Sequence, residues 1–173
     1  VATETKRPYT TLLATTNFAS GSYTDIDDDP DSPDGNWLAG PGTGATGNLI
    51  CHVSFETPTN TLTTGTDLQE FRVLYRNNPT GRTADQLDIY LYENGSQVGS
   101  VLSSTANPVD NTVYSATWDA SSLSDGSGAD VECYIVITPD AAPAAQAADG
   151  DIGAVEWNVT YTAATSDTPL DCA

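Results

Sequence analysis

Positive charge is nearly absent from this 173-residue chain. Five Lys and Arg stand against 24 Asp and Glu, which sets the net charge at −19. A surface so short of cations repels phosphate backbones, and this argues against general nucleic-acid binding. There is one histidine, His52. A lone imidazole cannot build a His-based zinc centre, and no GxSxG elbow stands ready to use it in a Ser-His-Asp triad. The three cysteines, Cys51, Cys133 and Cys172, are odd in number and lack CxxC spacing, so neither a zinc site nor a disulfide scaffold is indicated. Apolar runs are short and interrupted, well below the roughly 18 residues of a membrane helix.

What is present points to strands. Charged residues are only 17% of the chain, below the roughly 25% of ordinary globular domains. The acidity therefore comes from scarce Lys and Arg as much as from abundant carboxylates, and a saline habitat would give a similar balance. Asp outnumbers Glu 18 to 6, and Thr supplies 25 residues. Asp favours turns and caps while Thr favours strands, and 14 Gly and 10 Pro add turn chemistry. No segment keeps a 3.6-residue period, whereas alternation with period two recurs from end to end.

The alternation predicts about eight strands. They are Tyr9–Thr16, Leu49–Phe55, a run through Phe71, Val73 and Tyr75, Leu87–Tyr92, Ser96–Leu102, Val113–Trp118, Val131–Thr138 and Ile152–Thr162. Asn94-Gly95 between two of them is a strong hairpin signal, because both residues tolerate positive φ. Eight such strands bury a core by packing two sheets or closing a barrel, and an all-β, jelly-roll-like β-sandwich of antiparallel strands is the expected fold. The length suits one domain over residues 9–162, with an N-terminal arm at 1–8 and a flexible tail at 163–173. Asp25–Gly47 and Ala141–Ala148 are long connections. Cys51 and Cys133 fall on apolar strand faces as buried thiols or a bridge, and Cys172 lies in the tail.

Several motifs invite chemistry. The segment Asp25-Ile26-Asp27-Asp28-Asp29-Pro30-Asp31 places Asp at alternate positions, as at the opening of a calcium loop. Counting from Asp25, Pro30 and Asn36 replace the Gly and Glu that an EF-hand requires, so a solvated acidic loop competes with a calcium site on Asp25, Asp27, Asp29 and Asp31. Calcium is the one cofactor in view. Gly42-Thr43-Gly44-Ala45-Thr46-Gly47 reads as GxGxxG, yet a strand follows it where a helix is needed, which makes it a connector. His52 is expected to face solvent or an interface. The tryptophans suit the core, whereas Tyr90 and Tyr92 lie opposite Leu87, Ile89 and Leu91 and are the better surface aromatics for stacking on a glycan. Asn94-Gly95-Ser96 and Asn158-Val159-Thr160 match the glycosylation pattern by chance.

Four segments, in order, carry a resemblance. They are Asp25–Leu38 (DIDDDPDSPDGNWL), Leu68–Val73 (LQEFRV), Leu91–Gly95 (LYENG) and Gly153–Asn158 (GAVEWN). The set resembles short all-β virion structural proteins of tailed bacteriophages, over roughly residues 20 to 162. The resemblance implies a non-enzymatic role at the virion surface, as a capsid decoration protein or a fibre or spike module, with no catalytic residue. It implies as partners the major capsid protein or other virion proteins and further copies of the chain. Val1–Arg7 lack the apolar stretch of a signal peptide, which fits synthesis in the host cytoplasm before assembly. Lys6 and Arg7 are candidates for anchoring the arm to an acidic capsid, with an ordinary solvated terminus as the alternative. The rival function is a carbohydrate-binding module using Tyr90, Tyr92 and loop acids, with or without calcium.

Overall fold

A computed structural model describes residues 2–9, 14–40, 47–62, 64–65, 68–77, 84, 86–124, 126–139 and 150–161. These form ten strands: β1 (Ala2–Lys6), β2 (Ala14–Thr16), β3 (Leu49–Ser54), β4 (Gln69–Asn77), β5 (Gln86–Glu93), β6 (Ser96–Gln97), β7 (Ser103–Ala106), β8 (Thr112–Trp118), β9 (Val131–Thr138) and β10 (Gly150–Tyr161). Two 3₁₀ turns, Tyr23–Asp25 and Ala120–Ser122, are the only helical elements among the described residues.

Two antiparallel sheets pack face to face. One has the order β1-β10-β4-β8; the other runs β2-β3-β9-β5-β6, with β7 also on β5. β6 and β7 are two pieces of one strand along β5. The Val98 and Leu102 N–H groups still donate to Leu91 and Ile89 across the break, where Gly99 turns to φ +68°. Counting that broken strand once and setting short β2 aside leaves eight strands, ordered 1-8-3-6 and 2-7-4-5. That is the strand order of a jelly roll, so the expected fold is the fold observed.

The differences from expectation have local causes. The strand expected over Ser96–Leu102 is interrupted because Gly99 leaves the β region. The segment expected as a free arm is mostly strand: Ala2–Lys6 pairs with Tyr161–Trp157 along the edge of β10. Its alternation of Ala, Thr, Glu, Thr and Lys is too polar to announce a strand, but a sheet edge asks only for backbone pairing. Of the expected first strand, Ala14–Thr16 pairs with His52–Ile50, and residues 10–13 lie outside the described residues. The GxGxxG segment at 42–46, the Ala-rich connection, and the tail with Cys172 also lie outside them.

The inner faces meet in one core. Phe55, Phe71, Trp118 and Trp157 fill one part, with ring centroids 5.5 to 6.4 Å apart. Leu49, Val53, Ile89, Ile135 and Ile137 meet Val73, Ile152 and Val155 in the same cluster. Cys51 and Cys133 are buried as free thiols, and burial pushes Cys51 up to about 12 and Cys133 well above its ordinary value. The Asn94-Gly95 hairpin forms as its sequence predicts, with φ of 49° and 73°.

Candidate binding faces

The two outer faces of the sandwich hold nearly all of the polar side chains with chemical interest. The outer face of the four-stranded sheet is covered. On β4, Arg72 and Arg76 alternate with the core residues Phe71, Val73 and Tyr75 and so point outward. Glu156 and Asp151 lie across from them on β10. Arg72 Nη1 meets Glu156 at 2.9 Å, and its Nη2 donates to both oxygens of Asp31 at 2.9 Å. Arg7 reaches the other oxygen of Glu156 at 3.0 Å and lies 3.7 Å from Asp29. Arg76 holds Asp151 at 2.5 Å, and the same carboxylate accepts the Gly40 N–H at 2.9 Å. Glu156 and Asp151 are only 3% and 1% exposed. Burying carboxylates that deep is costly without such partners. Burial alone would lower the Arg72 pKa, but the bonds to Asp31 and Glu156 raise it further than burial depresses it.

The acidic segment is what covers this face. Ile26 is fully buried, and its carbonyl accepts the Val155 N–H at 2.9 Å. Leu38 exchanges backbone bonds with Ile152. The segment therefore continues along β10 where β1 stops. Trp37 lies against Gly153, at a place a Cβ would occupy, and the Arg76 guanidinium sits 3.8 Å from its ring centroid. Three of the four candidate calcium ligands, Asp25, Asp29 and Asp31, hold hydrogen-bond partners within the chain through their carboxylates. Asp25 accepts the Ser22 N–H at 2.5 Å, and the Asp27 carbonyl accepts Arg7. Asp29 accepts the Asp31 N–H at 2.9 Å. Asp34 accepts the Asn36 N–H at 2.7 Å, which holds its carboxyl below the usual range. Among the described residues no three His, Cys, Asp or Glu side chains gather as a metal site. Lys6 pairs with Glu4 at 3.3 Å, so both residues expected to anchor an arm, Lys6 and Arg7, are engaged at home.

The outer face of the six-stranded sheet is built differently. Strand register sets His52, Tyr134 and Tyr90 in one row across β3, β9 and β5, with Ser54, Glu132 and Tyr92 in the next. Tyr92 and Tyr134 stack with centroids 4.7 Å apart and planes 16° from parallel. His52 meets both rings edge-on at 5.1 and 5.0 Å, and Tyr90 meets Tyr134 edge-on at 6.1 Å. Beneath them His52 Nε2 lies 2.7 Å from Glu132 Oε2, and Glu132 also accepts the Gly95 N–H. The expectation for His52 is a place facing solvent or an interface. The side chain does point out of the sheet, but the two tyrosines fold over it and leave it 9% exposed.

Tyr90 and Tyr92 do share this half-buried face, as their alternation with Leu87, Ile89 and Leu91 requires. Asp88 and Gln86 continue the outward row of β5, with Gln86 donating to Asp88 at 2.7 Å. Burial, aided by Asp88, raises the Tyr90 pKa, and burial raises that of Tyr134. Tyr134 and the His52–Glu132 pair escape a sequence reading, because only the β3-β9-β5 order brings them to the two tyrosines. The face offers ring edges, phenol hydroxyls and one carboxylate–amide pair. That is equipment for noncovalent recognition. No family model matches the chain, and no curated protein matches it.

Proposed function

We propose that the chain is a non-enzymatic structural protein of a phage virion, one that decorates the capsid or projects from it. The observation that carries this reading is the jelly-roll strand order with its acidic segment strapped flat to the sheet. The jelly roll recurs in viral capsid and lectin domains, so the fold contributes by analogy and the phage-like motif set supplies the rest. Three of those four motifs are parts of one construction: Arg72 from the second bonds both Asp31 from the first and Glu156 from the last, while Trp37 and Leu38 from the first lie against Gly153 of the last and its neighbour Ile152. Their occurrence as a set follows from that packing. An acidic shell closed in this way remains soluble in a crowded lysate and does not adhere to DNA. Locating the chain in images of purified particles tests the reading. Density for it on the shell or tail supports the proposal, and particles purified free of it count against it.

A second reading, carbohydrate binding, is favoured by one observation: Tyr90, Tyr92 and Tyr134 share a face with Asp88 and Gln86. Tyr92 and Tyr134 each spend one ring face on the other. Recognition would therefore lean on hydroxyl and carboxylate hydrogen bonds more than on an open stacking platform. A glycan array that stays blank both with and without calcium removes this reading.

A further inference from the structure

We infer that β8 is an association edge, where a second copy of the chain pairs antiparallel and joins two four-stranded sheets into one of eight strands. The inference stands whether or not the virion reading holds. Sheet edges are templates for further pairing, and proteins protect them by shortening, breaking or charging them. Among the described residues three of the four edges are protected. There β2 is three residues long, β6 and β7 are broken at Gly99, and β1 carries Glu4 and Lys6. β8 has no such protection. Its seven residues, Thr112-Val113-Tyr114-Ser115-Ala116-Thr117-Trp118, contain no charge, no Gly and no Pro. Their register with β4 runs from Trp118 opposite Gln69 to Thr112 opposite Tyr75 without a bulge. On the side away from β4, β8 has no strand partner and no backbone hydrogen bond among the described residues. Ser115 and Thr117 are exposed.

Self-pairing suits this edge better than any other part of a molecule charged −19. An antiparallel two-fold at Ser115 sets Val113 opposite Thr117 of the second copy and Tyr114 opposite Ala116, so no like charges face each other along the strand. The same operation draws apolar groups together at the ends. Among the described residues only four large apolar side chains are exposed; of these, Val109 (65%) precedes the Thr112 end of β8, and Leu68 (47%) precedes Gln69, the β4 residue opposite Trp118 at the other end. Antiparallel pairing carries Val109 of one copy toward the Trp118 and Leu68 end of the other. Asp110 and Asp119 also approach there, so association should tighten as salt screens them. An edge contact of this kind falls at the small end of specific interfaces, which places its dissociation constant roughly in the micromolar range.

Sedimentation equilibrium of the full chain from about 1 to several hundred micromolar, at low and high NaCl, provides the first test. The expected result is a monomer–dimer equilibrium that tightens with salt. Ser115→Glu sets like charges face to face at the two-fold while leaving Arg72 as a neighbour within the chain, and should weaken dimerisation at least about ten-fold at an unchanged melting temperature. Thr117→Lys, opposite Glu70 in its own sheet, is the second variant should the first lose its fold. In a Cys172→Ser background, Ser115→Cys should cross-link to its counterpart under mild oxidant far faster than Val101→Cys. A chain that stays monomeric throughout overturns the inference. So does a dimer indifferent to both edge variants, or a Ser115→Cys that cross-links no faster than the control.

Discussion

The two outer faces of this sandwich solve the same problem in opposite ways. Each must hold polar groups over a sheet whose other side is core. On the four-stranded sheet the groups are full charges, and a loop closes over them; on the six-stranded sheet they are half-buried rings that fold over one buried carboxylate–imidazole pair. The difference follows from the cost of burial. Glu156 and Asp151 under a loop need arginines at contact distance, and Arg7, Arg72 and Arg76 provide them. Tyrosines carry their own apolar area and tolerate half-burial with only their hydroxyls wet. All four described cations pair with carboxylates, and three of them serve the covered face. The net charge of −19 is therefore an excess left after the sheet's own needs are met.

The largest effect should come from breaking the covered face at its centre. Arg72→Met leaves Glu156 with Arg7 alone and releases Asp31. It should cost about 3 kcal/mol in urea unfolding, the lower end for removing one partner of a buried pair. Adding Glu156→Gln should recover part of that loss, and a cost under about 1 kcal/mol would show that apolar contacts of Ile26 and Leu38 hold the loop without the ions. Next in size is Gly153→Ala, whose Cβ would run into the Trp37 ring. We expect a loss of about 2 kcal/mol and a red shift in tryptophan emission as Trp37 leaves its seat.

On the open face effects should be smaller. Tyr134→Ala removes the ring that Tyr90, Tyr92 and His52 all touch, and should cost about 1 to 2 kcal/mol, with a coupling to Tyr92→Ala near 1 kcal/mol by a double-mutant cycle. If it costs more than Arg72→Met, the contrast between the faces is reversed. The mildest probe is alkaline titration. Burial raises Tyr90 and Tyr134, and raises Tyr75 to about 12. A phenol raised above its unfolded value of about 10 is held neutral by the fold. Its contribution is full below pH ~10 and is lost as pH climbs through the folded value. Phenolate absorbance should therefore show these tyrosines ionising after the exposed ones, with the melting temperature level below pH ~10 and falling above it.

Much of the fold was legible because half-buried strands write their burial with period two. Val131–Thr138 has the bounds its alternation predicts, and Leu49–Ser54 and Gln86–Glu93 match theirs within two residues. β10 was legible as a strand for the same reason. Its burial on both faces from Gly150 to Trp157 was not, since polar Asp151 and Glu156 read as solvent-facing until a loop lies on them. The acidic run reads as a candidate cation site because clustered carboxylates demand counter-charge. Two of its carboxylates, Asp29 and Asp31, meet arginines from the N-terminal segment and from β4, distant in sequence and adjacent only in space. Tyr90 and Tyr92 were assigned to the correct face, while Tyr134 stayed hidden in an apolar strand until register placed it opposite Tyr90.

By itself, then, the sequence determined an all-β chain, the positions of most strands, the Asn94-Gly95 turn and which side chains of each strand face the core. These properties are local, fixed by φ preferences and by alternation over a few residues. Only the tertiary structure decided the 1-8-3-6 and 2-7-4-5 strand order, which carboxylates are buried, which tyrosines meet and which edge is left unpaired. Those depend on pairings between residues up to 159 positions apart, as in Ala2 opposite Tyr161. No local preference encodes them, because the free energy that selects them comes from packing whole sheets together.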